Sequence, residues 1–275
     1  MNLSDLPPLR ESLEAHGLLA KKSLGQHFLL DLNITRKIAR LSGVGPDDLV
    51  IEVGPGPGGL TRALLEAGVQ VIAVEKDPRF LPLLQELSEA AGGRLRVELA
   101  DAMEVDEADL TGGRPAAVVS NLPYNVGTPL LVKWLTGPFT PTSMTLMFQK
   151  EVAQRIVAPP GASAYGRLAV LAQAAARCEL VMDAPARAFT PPPKVDSAVV
   201  RLVPRDDRPP AELMDALQTL TQAAFGQRRK MLRSSLKALG GEALCAGAGI
   251  DAARRAETLS VAEFLTLAQA RLALR

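Results

Sequence analysis

The run Val50-Ile-Glu-Val-Gly54-Pro-Gly56-Pro-Gly-Gly59-Leu-Thr61 is an apolar stretch that breaks into glycines and resumes in helix-forming residues. Glycines at such a junction let the backbone turn sharply and lie against a ligand that a Cβ would hold away. Glu75 ends the next apolar run, 21 positions after Gly54, where a carboxylate is placed to accept hydrogen bonds from two ribose hydroxyls. Gly54, Gly56 and Gly59 satisfy GxGxxG, so a nicotinamide or flavin dinucleotide is one candidate ligand. Pro55 and Pro57 count against it, because a pyrophosphate is held by loop amides and proline has no N–H to give. An adenosine without phosphates suits the loop better, and S-adenosylmethionine is the common ligand of that kind. Asp101, in Glu98-Leu-Ala-Asp101-Ala-Met103, is placed either to accept from an adenine amino group across the same crevice or to cap a turn.

A second constellation is Ser120-Asn121-Leu122-Pro123-Tyr124-Asn125, which holds two of the four asparagines and one of the two tyrosines. An aryl amine is a poor nucleophile because its lone pair is delocalised into the ring. A site that methylates one should hold it with acceptors that favour a more tetrahedral nitrogen. The Asn121 side-chain oxygen and the Leu122 carbonyl suit that task, Pro123 fixes the backbone so that they converge, and Tyr124 can stack on the base. Without a ligand, the same residues make a polar Asn-Pro turn.

These groups need elements to carry them. Short apolar runs at 49–53, 70–75, 95–99, 116–120 and 142–148 read as buried strands, and 60–67, 79–91 and 128–135 as helices between them. Such alternation predicts an α/β domain with a parallel sheet covered by helices on both faces. A helix near 165–176 and strands at 179–182 and 197–203 follow, the last two joined by a proline-rich loop at 184–194. After a break at Pro204–Pro210 the spacing is helical throughout, with Ser260 and Glu263 forming a capping-box pattern. The boundaries predicted are residues 1–205 for an α/β domain with an N-terminal helical extension, and 206–275 for a small all-helical domain.

Composition narrows the class. The net charge of +1 argues against a wholesale basic protein of the histone type and against an acidic disordered tail. Split at residue 181, it becomes −3 before and +4 after. Cys178 and Cys245 stand alone, with neither metal-ligand spacing nor a disulfide framework, which predicts a reducing cytoplasmic setting and no metal. No segment reads as a membrane span or a signal peptide. Arg228, Arg229, Lys230, Arg233 and Lys237 fall in a stretch free of acids between Asp215 and Glu242. Read as a helix, sets such as 229/233/237 share a face and are placed to contact RNA phosphates.

Taken together, these segments resemble the ribosomal-RNA adenine dimethyltransferases, the kasugamycin-sensitivity methylase family. The matching segments are Lys22-Ser-Leu-Gly25-Gln26-His27-Phe28-Leu29-Leu-Asp31, Glu52–Thr61, Val74-Glu75-Lys-Asp77, Asn121–Tyr124 and Phe189-Thr-Pro-Pro-Pro-Lys-Val195-Asp196-Ser197. Phe225-Gly-Gln-Arg-Arg-Lys-Met-Leu232 is similar to the family's C-terminal segment, so the resemblance runs from about residue 20 to 240. It implies a class I, Rossmann-like methyltransferase fold binding S-adenosylmethionine through His27, Leu29, Gly54, Glu75, Asp101 and Asn121. It further implies dimethylation of two adjacent adenosines near the 3′ end of 16S rRNA in the small ribosomal subunit, by a cytoplasmic monomer active in ribosome biogenesis. His27 stands where the family usually has Asn, and Ala100 where a glycine usually precedes the acid; histidine keeps a hydrogen-bond donor. Phe189, beside Pro191-Pro-Pro193, is expected over the mouth of the site, stacking the base against Tyr124; a core phenylalanine is the alternative. The rival readings are a sister enzyme acting on large-subunit rRNA, a non-catalytic RNA-binding platform and a dinucleotide oxidoreductase.

Overall fold

The computed structural model describes residues 2–18 and 27–274. The Lys22–Gln26 part of the first motif lies outside the described residues. In chain order the elements are α1 (Leu9–Ala15), β1 (Phe28–Leu29), α2 (Leu32–Ser42), β2 (Leu49–Val53), α3 (Gly59–Glu66), β3 (Gln70–Glu75), α4 (Leu81–Ala90) and β4 (Leu95–Leu99). There follow α5 (Glu107–Thr111), β5 (Ala117–Asn121), α6 (Gly127–Thr136), β6 (Met144–Gln149), α7 (Lys150–Val157), α8 (Arg167–Ala175), β7 (Ala176–Ala184), β8 (Phe189–Thr190) and β9 (Ser197–Pro204). The chain ends in helices α9 (Ala211–Gly226), α10 (Leu232–Ser235), α11 (Gly241–Gly247) and α12 (Val261–Ala273).

The main sheet has seven strands in the order β4-β3-β2-β5-β6-β9-β7, and the β4-to-β6 portion is parallel. All five residues of β2 are buried, as expected for a central parallel strand covered on both faces. The chain leaves β2 toward β3 on one side and meets β5 on the other, so a crevice opens where the carboxyl ends of β2 and β5 diverge. The architecture is α/β and Rossmann-like with a helical C-terminal region, as the alternating pattern predicts.

Two compact units share the chain. The first takes in Met1–Leu130, Pro141–Ala153 and Leu180–Arg201, and the second Leu131–Thr140, Gln154–Glu179 and Leu202–Arg275. In the first, Asp31 caps α2 by accepting from the Asn33 amide, and Gly43 ends it in the left-handed conformation. A two-residue antiparallel ladder pairs Phe28 with Thr190 and Leu29 with Phe189. The buried Arg62 guanidinium donates to the carbonyls of Pro7 and Leu3, tying the N-terminal residues to α3. In the second, α9 and α12 bury Leu213, Leu217, Leu220, Phe264 and Leu267. Ser260 and Glu263 form the expected capping box of α12.

The expected basic helix is not formed. α9 stops at Gly226; Arg228–Lys230 lie in the turn that follows; Met231 bridges to Arg255; and only Leu232–Ser235 make a helical turn before Lys237 begins a 3-10 turn. The bridge holds Met231 extended and interrupts the stretch where local propensity favours one continuous helix.

Candidate active site

A cavity of about 500 Å³ occupies the crevice and is lined by residues from the ends of β2, β3 and β5, together with β1 and β8. Gly54, first residue past β2, has φ +67°, and a Cβ there would stand 3.2 Å from the Pro123 ring. Gly59 opens α3 so close to β1 that a Cβ would meet the Leu29 carbonyl at 2.7 Å. The glycines thus let three segments of the cavity wall pack closely. Phe28 and Phe80 form an edge-to-face aromatic wall, centroids 5.6 Å apart, backed by Leu13 and Leu84.

Two buried acids face this space. Glu75 Oε2 accepts from the Gly56 amide at 3.0 Å and Oε1 from the Asp77 amide at 2.8 Å, so both oxygens are oriented and each keeps a lone pair for a ligand hydroxyl. Burial pushes the Glu75 carboxyl above its ordinary range, and the backbone donors partly restrain it. Glu52 is 1% exposed, and its Oε2 has no hydrogen-bond partner. Burial raises it to about 8; contact with Thr61 opposes the shift and the nearby Glu75 charge adds to it. An orphaned buried carboxyl oxygen beside a glycine-lined cavity fits a ligand that brings a hydrogen-bond partner. Asp101 does not line the cavity. Its carboxylate pairs with Lys76 at 2.6 Å and accepts from the Met103 amide at 2.9 Å, the turn-capping alternative, whereas Asp77 does line it.

At the end of β5, the Ser120 hydroxyl donates to the Val53 carbonyl at 2.6 Å and fastens β5 to β2 just before the motif. Asn121, Leu122, Pro123 and Tyr124 all line the cavity. The Pro123 carbonyl accepts from the Val126 and Gly127 amides, closing a tight turn around Tyr124. The Tyr124 phenol lies 2.8 Å from the Ser197 hydroxyl. His27 sits with its ring centroid 6.3 Å from that of Tyr124, its Nδ1 2.7 Å from the Pro191 carbonyl. A carbonyl only accepts, so Nδ1 is the donor in this hydrogen bond. The Nδ1 donor of His27 is therefore spent on the protein.

Phe189 also lines the cavity, but only 2% of it is exposed, and it packs in the core with Leu29 and Val199. It is a wall of the site and not a free ring at its mouth. The pairing of Phe189 with Leu29 draws the ring inward, which the neighbouring prolines did not foretell. The structure therefore gathers His27, Leu29, Gly54, Glu75, Asn121, Leu122, Pro123, Tyr124 and Phe189 on one cavity. Sequence reasoning passed over Glu52 and Ser197 as site residues. An acid inside the buried run Leu49–Val53 was the available signal for the first, and a hydroxyl has none for the second.

The basic candidates divide. Arg228 is engaged within its own unit, donating to the Ser163 carbonyl at 2.6 Å and pairing with Glu257 at 3.2 Å. Arg229, Lys230, Arg233 and Lys237 are exposed. Among the described residues, no group of three or more His, Cys, Asp and Glu side chains could hold a metal ion, and no helix is long and apolar enough to cross a membrane.

Residues 17–271 match the family described as ribosomal RNA adenine dimethylase. Among the similar proteins is a ribosomal RNA small subunit methyltransferase A from Phenylobacterium zucineum, 71% identical over 275 residues, covering 100% of this chain and 96% of that one. A protein of the same name from Caulobacter vibrioides is 68% identical, covering 92% and 98%. Among solved structures, a dimethyladenosine transferase from Plasmodium falciparum superposes with a TM-score of 0.72 at 26% identity, covering 88% of this chain and 96% of that one. The 23S rRNA methyltransferase ErmE gives 0.66 at 27% identity, covering 88% and 98%.

Proposed function

The chain belongs to the ribosomal RNA adenine dimethylase family, and from that membership we propose that it transfers methyl groups from S-adenosylmethionine to the exocyclic amines of two adjacent adenosines near the 3′ end of 16S rRNA. The observation that carries this reading is the convergence of Glu75 and its glycine loop with Asn121–Tyr124 on one cavity. S-adenosylmethionine, when bound, supplies an activated methyl group on a sulfonium, so the protein needs no nucleophile, metal or strong base.

The remaining work falls to positioning. The Gly54–Gly59 loop gives the ligand a close backbone approach, and Glu75 takes the ribose hydroxyls. Asn121 and the Leu122 carbonyl accept from the target amine and stabilise positive charge as it develops there, while Tyr124 offers its ring face to the base. His27 and Leu29 close the cavity from the β1 side. Asp101, paired with the exposed Lys76, is the residue we assign to the adenine amino group. Phe189 supports the base pocket from within. The second unit supplies phosphate contacts through Arg229, Lys230, Arg233 and Lys237, with Arg228 bracing that surface. We assign residues 1–205 to methyl transfer and 206–275 to RNA contact, in a cytoplasmic monomer whose partner is the small ribosomal subunit.

Incubation with labelled S-adenosylmethionine and separate unmodified small and large subunits, followed by mapping of the modified bases, tests this. Label on two adjacent small-subunit adenosines is expected. Label on the large subunit alone, the activity in the name of the ErmE neighbour, overturns the target; label on neither overturns the enzymatic reading.

A further inference from the structure

Ser197 opens β9 and is fully buried, and the Tyr124 phenol is the partner of its hydroxyl. A buried hydroxyl needs a hydrogen bond; this one is spent on the ring at the rim of the cavity. Tyr124 is thereby fixed at both ends. Its main chain sits in the turn closed on the Pro123 carbonyl, and its phenol is held 2.8 Å from Ser197. The anchor is itself anchored: the neighbouring Asp196 accepts the Ala186 amide through its side chain at 2.8 Å and the Lys150 amide through its carbonyl at 2.9 Å. The same segment supplies the Pro191 carbonyl that holds His27.

We propose that Ser197 is a positioning residue for methyl transfer, holding the Tyr124 ring in one orientation at the cavity rim so that an incoming base meets a pre-set stacking face. An untethered ring would have to lose its rotamer freedom each time a base bound. The inference rests on the proposed base chemistry for its effect on turnover, but the tether exists independently of it.

The test uses Ser197→Ala, Tyr124→Phe and the double variant. A single hydrogen bond of this kind predicts a fall in kcat of about three- to tenfold in each single variant. The double variant should be no slower than the slower single one, and cofactor affinity by calorimetry should be unchanged throughout. Fluorotyrosine labelling gives an independent readout, because the chain has two tyrosines, Tyr124 and Tyr165. Fluorine NMR should show the Tyr124 resonance, assigned by its absence in Tyr124→Phe, shifted in Ser197→Ala, with that of Tyr165 unmoved. An unmoved Tyr124 resonance, unaltered turnover or a loss of cofactor binding in Ser197→Ala each overturns the proposal. If the wild-type protein methylates neither subunit, the functional reading fails, and the fluorine spectrum still decides whether Ser197 sets the ring.

Discussion

Gly56 and Glu75 are joined by a hydrogen bond from the Gly56 amide to Glu75 Oε2, so the glycine loop is held by the acid at the end of the neighbouring strand. The second oxygen takes the Asp77 amide, and the carboxylate thereby shapes the loop and still faces the cavity. Glu75→Ala should therefore weaken S-adenosylmethionine binding about ten- to a hundredfold, the loss expected when hydrogen bonds to a charged group are removed. Calorimetry checks this, and an unchanged Kd would take Glu75 out of the binding site.

Asn121 is the last residue of β5 and lines the cavity between the ends of two strands. Asn121→Ala should lower kcat for labelled methyl transfer about a hundred- to a thousandfold, as for other pre-set acceptors and donors at developing charge. Cofactor binding should be weakened but still measurable. Wild-type turnover in this variant would remove Asn121 from the mechanism.

The Glu52 carboxyl keeps its proton to about 8 in the fold, against an ordinary value of 4.5. Between those values the native chain holds a proton that the unfolded chain has lost, so stability falls as pH rises through that window and levels off above it. The upward shift of Glu75 acts in the same direction. In Glu52→Gln this dependence should shrink, and the variant's Tm should rise relative to wild type as pH goes from about 5 to about 8. Parallel Tm curves for the two ligand-free proteins would contradict it.

The exposed side chains of Arg229, Lys230, Arg233 and Lys237 differ from the engaged Arg228. Neutralising the four should weaken rRNA binding and flatten its dependence on salt by about 0.7–0.9 in logarithmic slope for each phosphate no longer neutralised. Arg228→Ala should instead lower thermal stability, with little change in that slope. Filter binding across a salt series separates the two; equal slopes for the four-residue variant and wild type would exclude this surface.

Strands β2, β3 and β4 were legible to the residue because Leu49–Val53 and Gln70–Glu75 are short, mostly apolar runs and Leu95–Leu99 alternates apolar with charged residues. β5 and β6 begin one and two residues later than the pattern suggests, since Ala116 and Thr142 suit a strand without being in one. α2 was missed although Asp31 and Gly43 mark its ends, because its apolar face carries only a few aliphatic positions among Asn33, Arg36, Lys37 and Arg40. The ladder of β1 on β8 has no periodicity to read at two residues a side; long-range packing alone defines it. The site was legible where chemistry needs particular residue types, as at Gly54, Glu75 and Asn121. It was opaque where tertiary contact decides: the burial of Phe189, the Lys76 pair that holds Asp101, the Pro191 carbonyl that accepts the hydrogen bond of His27, and the Met231–Arg255 bridge that unmakes a helix.

Phe28 and Leu29 pair with Phe189 and Thr190, residues that leave the translating ribosome long after them. Domains generally fold as units, and here the β1 side of the cavity lacks its partner until residue 190 is available. Strands β2, β3 and β4 emerge well before that segment, and with them alone the pocket has no β8 side. The β1 side of the pocket is thus closed only late in synthesis, when the proline-rich segment arrives.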